Sequence, residues 1–478
     1  MTTGTPAQTR LPVGLKLFHG LGSVAYGVKD NGFSTFLLLF YNQVLGMDAK
    51  LVSFALMLAL VLDAFVDPVI GYLSDQTHTR WGRRLPWLYL APLPLAFAWI
   101  ALWTPGGEST PGFWHLVIVA VVVRSLVSCC EVPSVALLPE LTRDYDERTT
   151  LMRYRYLFGW AGGLLMLFLA YDVFLAKSLL QVDGYYQYGL FGAMLMAATV
   201  MISAAGQHRW AARWPDRKPS ALSIGTAFRE IREALGHPAF LILLGAGAIA
   251  YTSQGVTFSI SNYLYIFIWR FSPEAFMIYP WVLFASVVGT FLLVGPAHRR
   301  FGKRATAIGG GLIGMAFWVA PFLLRHFGLW PVEGSTASTA GLFAFFFLAN
   351  LFSVSVMISG GSMIADIVEA SEMETGRRSE GTFFAGNFFM QKCATGLGIF
   401  VTGMLVDAAG IPEKADPAKV PETVIDNFSL YYCVLVILFA IVSSLIFRYY
   451  PINREDHEAR VAALAGTQPI TTGATHPQ

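Results

Sequence analysis

The chain has 478 residues, of which 55% are hydrophobic and 13% charged, with a net charge of +2 and a mean hydropathy of +0.54. Soluble globular chains carry roughly 25% charged residues, so an ordinary water-facing surface is excluded. No basic run is dense enough to hold nucleic acid, and no GxSxG, HExxH, Walker or CxxC pattern points to an enzyme.

The opening stretch MTTGTPAQTRLPVG lacks the basic-then-apolar pattern of a signal peptide, which leaves insertion to the first helix. A membrane-crossing helix needs roughly 20 mostly apolar residues. Such stretches fall near 16–45, 52–74, 85–104, 113–138, 155–175 and 186–205, then 238–267, 276–296, 304–325, 339–364, 382–406 and 427–448. The first and seventh are the most polar, the seventh running Tyr251-Thr-Ser-Gln254-Gly255-Val-Thr257-Phe-Ser259-Ile-Ser-Asn262. The expected fold is therefore an all-α membrane protein of twelve transmembrane helices. It divides into a six-helix bundle over 1–206, a polar loop over 207–237, a second bundle over 238–450 and a disordered tail over 451–478. Residues 227–235 of the loop could form a short amphipathic surface helix. Cys129, Cys130, Cys393 and Cys433 each stand in an apolar stretch without metal spacing and read as buried hydrophobes.

Lys and Arg crowd alternate connections. One set holds Arg80, Arg83 and Arg84, then Arg143, Arg148 and Arg153, the middle loop, Arg299, Arg300, Lys303 and Arg304, and Arg377 and Arg378. The other set holds fewer, Lys50, Lys177, Arg270, Arg325, Lys414 and Lys419, which predicts that both termini and the middle loop lie on the cytoplasmic side of a bacterial inner membrane. The two bundles also echo each other: Gly71 precedes the turn Arg80-Trp-Gly82-Arg83-Arg84, and Gly295 precedes Arg300-Phe-Gly302-Lys303-Arg304. This pairing resembles the cytoplasmic loop signature of the major facilitator superfamily, six plus six helices around a central cavity.

The strongest chemical signal is Asp63-x3-Asp67-Pro68-x2-Gly71 in the second span. Residues four apart share a helix face, and a carboxylate at bilayer depth costs several kcal/mol unless it faces water or a partner. Together with the following turn, Arg80-x-Gly82-Arg83-Arg84-x-Pro86, the stretch resembles the glycoside–pentoside–hexuronide:cation symporter family, over nearly the whole chain. The resemblance implies cation-coupled symport of a sugar or glycoside by alternating access, with Asp63 and Asp67 forming the coupling-cation site. Ser128 and Glu131 of the fourth span complete the implied ligand set. The family usually has Asp where Glu131 stands, and Arg124 lies two turns away on the same face. Both Na+ and H+ remain open as the coupling ion, and no cofactor or further metal is implied.

For the solute, the resemblance implies Lys392 in the eleventh span and Arg155 at the start of the fifth. Tyr26, Lys29, Asp30 and Asn31 of the first span, Trp160 of the fifth, and Asn387 and Gln391 of the eleventh are further candidates. The family's sugar-contacting Asp falls on Gly27, placing Asp30 one turn out of register, and its cavity Trp becomes Val135. Asp75, Arg80, Arg83, Arg300, Asp366 and Arg377 are expected to form conformation-dependent salt bridges between the bundles. The partners implied are a small-molecule solute and the bilayer, with the chain working as a monomer. A lysolipid or other amphipathic solute is the alternative, because Val135 and the Phe-rich eleventh helix (Phe383, Phe384, Phe388, Phe389) leave room for an acyl tail.

Overall fold

A computed structural model describes residues 11–106, 110–142, 144–212, 236–375 and 380–451. Among these residues there is no β-strand, and the helices make twelve crossings. The reason is the solvent: hydrocarbon offers no hydrogen bonds, so each crossing segment must satisfy its own backbone, which a helix does. The expected loop helix at 227–235 and the tail beyond Pro451 lie outside the described residues, as do Arg143, Arg377 and Arg378.

The first crossing begins with Val13–Leu21 and Val24–Asn31, then widens into two π-helical turns, Gly32–Phe36 and Phe40–Val44. The second is Ala49–Gln76, started by Asp48, whose side chain accepts from the Leu51 amide at 3.0 Å. The third is Leu85–Leu90 with Pro92–Trp103, and the fourth is Phe113–Ala136. The fifth, Tyr145–Leu169, starts about ten residues earlier than hydropathy suggests, because Asp144 caps the Glu147 amide and extends a polar turn beyond the apolar run. Val182–Ala211 ends the first bundle.

The seventh crossing is Pro238–Tyr263. The eighth and ninth form one stretch, Pro273–His326, broken at Gly302. There φ is 79°, which a glycine adopts without a Cβ clash. Thr336–Thr375, Glu380–Ala409 and Glu422–Phe447 complete the second bundle. Cys130 and Cys433 are buried, whereas Cys129 and Cys393 are partly exposed; all four are free thiols.

The two bundles meet along two seams. In one, the second span runs against the eleventh: Ser53 packs on Gly403, Leu60 on Gly396, and the Phe65 and Phe389 rings meet edge to face at 5.0 Å. In the other, the widened end of the first span meets the seventh. Asn262 donates to the Thr35 carbonyl at 3.0 Å and accepts from the Tyr171 hydroxyl at 2.7 Å, while the Tyr263 hydroxyl donates to Asn42 at 2.9 Å. Gln43 completes the closure by donating to the Pro412 carbonyl at 2.9 Å and accepting from the Ala415 amide at 3.0 Å. This end of the molecule is sealed between bundles.

At the opposite, basic end several ion pairs lie within one bundle. Arg84 pairs with Asp75, donates to Ser74 at 2.5 Å and lies 3.5 Å from Glu140. Lys303 pairs with Asp366 at 2.6 Å, and Arg304 donates to the Tyr450 carbonyl at 3.1 Å. Asp75 and Asp366 each have a partner within their own bundle. Arg80 and Arg300 lie over the rings of their neighbours Trp81 and Phe301.

Candidate functional site

Asp63 stands in the middle of the second span, and a turn later Asp67 precedes Pro68. Helical spacing alone puts the two carboxyls on one face. That face meets Arg124 and Ser128, themselves four residues apart on the fourth span. Asp63 Oδ2 accepts from Arg124 Nε at 3.1 Å and Nη2 at 2.8 Å, and Oδ1 accepts from Ser128 at 2.8 Å. The Ser128 hydroxyl lies equally close, 2.7 Å, to Asp67 Oδ1. Its single proton can serve only one carboxylate at a time.

From the other bundle, Lys392 reaches across. Its ammonium lies 2.5 Å from Asp67 Oδ2 and 2.8 Å from Asp63 Oδ2. Asp63 is 3% exposed and Arg124 4%, whereas Asp67 is 29% exposed and Lys392 20%. One carboxylate is therefore sealed among partners and the other is reachable by water. Two negative charges face two positive ones, which is how a low-dielectric interior tolerates them.

A second constellation lies on the first span. Lys29 is buried and pairs with Asp30 at 2.7 Å, and its ammonium is 3.9 Å from Glu131. Glu131 thus faces Lys29, and no hydrogen bond joins it to the Asp63–Asp67–Ser128 group among the described residues. The longer side chain, in place of the family's Asp, fits this reach. Asp30 is 66% exposed at the middle of a membrane-crossing helix. Exposure there to hydrocarbon would be costly, so Asp30 faces a water-filled gap. Arg155 is buried, donates to Ser134 at 2.6 Å and lies over the Tyr26 ring at 5.5 Å. No ion pair with a carboxylate is found for it among the described residues.

Other expected solute residues divide. Asn31 is turned away: its amide donates to the Gly163 carbonyl at 2.5 Å and fastens the first span to the fifth. Gly27 shows why the family's carboxylate is missing at that position. A Cβ there would come within 2.0 Å of the Gly159 carbonyl oxygen, so no side chain fits between these two spans. Asn387 is buried. Gln391 is half-buried beside Lys392, and Trp160 and Val135 are exposed. Phe383 is buried against Phe240, while Phe388 and Phe389 are exposed.

Arg124 is the residue whose weight sequence reasoning underrates. The signal is present, a basic residue deep in an apolar helix at four-residue spacing from Ser128, but its carboxylate partner sits on another helix.

A family model described as MFS/sugar transport protein matches residues 18–454. The uncharacterized symporter sll1374 of Synechocystis sp. is 29% identical, over 92% of this chain and 94% of the relative. The isoprimeverose transporter of Lactiplantibacillus pentosus is 24% identical over 84% and 82% of the two chains. The inner membrane symporter YicJ of Escherichia coli is 24% identical over 95% of each. Among solved structures, a bacterial homolog of the human lysosomal transporter Spinster, inward-facing and unoccupied, superposes with a TM-score of 0.65 at 16% identity, covering 92% and 96%. The xylose transporter XylE from E. coli, inward open, does so with 0.63 at 16% identity, covering 95% and 99%. At these identities the likeness is one of fold.

Proposed function

We propose, from the premise that this chain belongs to the MFS/sugar transport protein family, that it imports a sugar or glycoside together with a monovalent cation by alternating access. The protein is an integral membrane transporter, not an enzyme. The observation that carries the coupled reading is the pairing of Lys392 from one bundle with Asp63 and Asp67 from the other. An ion pair across two moving bodies changes when they separate, so a cation that competes with Lys392 biases the conformational equilibrium. By linkage, cation and solute then raise each other's affinity. The relatives named as symporters and as an isoprimeverose transporter support the substrate class.

The solute is read as lying between Arg155, Lys29 and Asp30 on one side and Asn387 and Gln391 on the other, with Tyr26 and Trp160 as aromatic surfaces. Hydroxyl-rich rings need clustered donors and acceptors beside an apolar face, which this set offers. The basic end is read as cytoplasmic, placing both termini and the middle loop inside the inner membrane. With the other end sealed by Gln43, Asn262 and Tyr263, the conformation is then inward-facing. Reporter fusions after Pro219 and after Ala465 should both register cytoplasm; a signal from outside at either overturns this orientation. The function itself is tested in proteoliposomes, by screening labelled glycosides and lysolipids under imposed Na+ or H+ gradients. Gradient-dependent accumulation of a glycoside supports the reading, and accumulation of lysolipids alone overturns it.

A further inference from the structure

We infer that Arg124 excludes Na+ from the carboxylate cluster: its guanidinium stands there as a built-in cation, so the transporter does not bind Na+ at this site. The inference rests on the symport reading above and concerns which ion serves it.

Na+ is a hard cation that requires several oxygen ligands with free lone pairs. The group joined by hydrogen bonds here offers five such oxygens, two on Asp63, two on Asp67 and the Ser128 hydroxyl, with Glu131 turned toward Lys29. The most buried of them is already committed, Asp63 Oδ2 with its three cationic donors, while Asp63 Oδ1 and the two Asp67 oxygens keep free lone pairs. Asp63 Oδ2 accepts from two guanidinium nitrogens, at 3.1 and 2.8 Å, and meets the Lys392 ammonium at 2.8 Å. Asp63 Oδ1 and Asp67 Oδ1 share the Ser128 hydroxyl, and Asp67 Oδ2 holds Lys392 at 2.5 Å.

The charge balance points the same way. Two carboxylates meet two side-chain cations, and a guanidinium stays protonated at every attainable pH. A sodium ion entering this group would either add a third cation or displace Lys392, and in both cases it would sit against the Arg124 guanidinium, in a region where Asp63 and Arg124 are both nearly sealed from water.

The two built-in cations differ in how they are attached. Lys392 comes from the second bundle and leaves when the bundles part. Arg124 belongs to the same bundle as Asp63 and travels with it, and the Phe33 ring covers the guanidinium at 5.1 Å and holds it there. Asp63 therefore keeps a counter-charge in every conformation. Asp67 alone loses its partner, and it is the carboxylate that water can reach. Na+ at Asp67 would require Asp63 as a co-ligand, whose Oδ2 Arg124 already occupies.

The test is equilibrium binding of radiolabelled sodium to the purified full chain, with choline as the competing control. No solute is involved, so the outcome is independent of whether glycosides prove to be the cargo. Wild type should bind no sodium above the choline control. Arg124→Ala and the more conservative Arg124→Gln free Asp63 Oδ2, and at least one should gain saturable binding that a further Asp63→Asn removes. Melting curves identify which variants are folded. Sodium binding by wild type overturns the inference, and so does a folded Arg124→Gln protein that still binds none. A failure of the transport reading would appear separately, as a wild type that accumulates no glycoside under either gradient.

Discussion

The sealed end and the mid-membrane cluster join the same two bundles by different means. At the sealed end the buried contacts are neutral, Asn262 to Thr35, Tyr263 to Asn42, and Gln43 to Pro412 and Ala415, and the ion pair Lys50–Asp407, at 2.5 Å, stands at the exposed rim. In the middle the contact is ionic, Lys392 against Asp63 and Asp67. Neutral hydrogen bonds, worth about 0.5–1.5 kcal/mol each, set how readily the bundles part but do not sense an ion. An ion pair in a low-dielectric interior responds directly to any cation that replaces one member. On the function proposed above, the difference separates a gate, which every conformational cycle must open, from a latch that couples the cycle to a gradient.

Removing the most buried member of the latch puts that distinction under the greatest stress. Asp63→Asn leaves the Arg124 guanidinium buried without a carboxylate, and breaking a buried pair costs about 3–5 kcal/mol. We expect a large fall in melting temperature together with complete loss of accumulation; a variant as stable as wild type would show that Arg124 finds another partner.

Lys392→Ala is next. It frees Asp67 and Asp63 Oδ2 from the second bundle but leaves Arg124 in place, so the protein should fold while its gradient-driven accumulation falls about tenfold, a change of about 1.4 kcal/mol in coupling. Wild-type accumulation by this variant would place Lys392 outside the mechanism.

Gate substitutions should be milder and of another kind. Tyr263→Phe removes one neutral hydrogen bond between bundles, worth about 1 kcal/mol. Coupling should survive, while labelling of a cysteine placed at the sealed end becomes several-fold faster. Loss of coupling in Tyr263→Phe would erase the contrast between the two regions. The smallest effect is expected at the basic end. Lys303→Ala breaks a pair inside one bundle that is partly exposed on the lysine side, and such pairs are worth about 0–1 kcal/mol.

Much of this plan is legible in the sequence, for definite physical reasons. Crossing helices announce themselves as apolar runs, and four-residue spacing by itself places Asp63 with Asp67 and Ser128 with Arg124. Matched positions point to Lys392. What stays hidden depends on contacts between helices. Nothing local distinguishes Asn31, which braces Gly163, from a residue free to meet a solute. Glu131 shares a helix face with Ser128, which suggests a cation ligand, yet its longer side chain reaches toward Lys29 of the first span. The π-helical widening over Gly32–Phe36 and Phe40–Val44, which brings the first span against the seventh, likewise has no periodic signature.

Everything in this scheme turns on Asp67 as the exchangeable end of the latch, and one side-by-side comparison isolates it. Wild type and Asp67→Asn are reconstituted together, and uptake of a transported glycoside is followed with and without an imposed cation gradient. Wild type should concentrate the sugar above its outside level when the gradient is applied. Asp67→Asn should only equilibrate it, at a rate the gradient does not change. Gradient-driven accumulation by Asp67→Asn equal to wild type would remove Asp67 from the coupling mechanism.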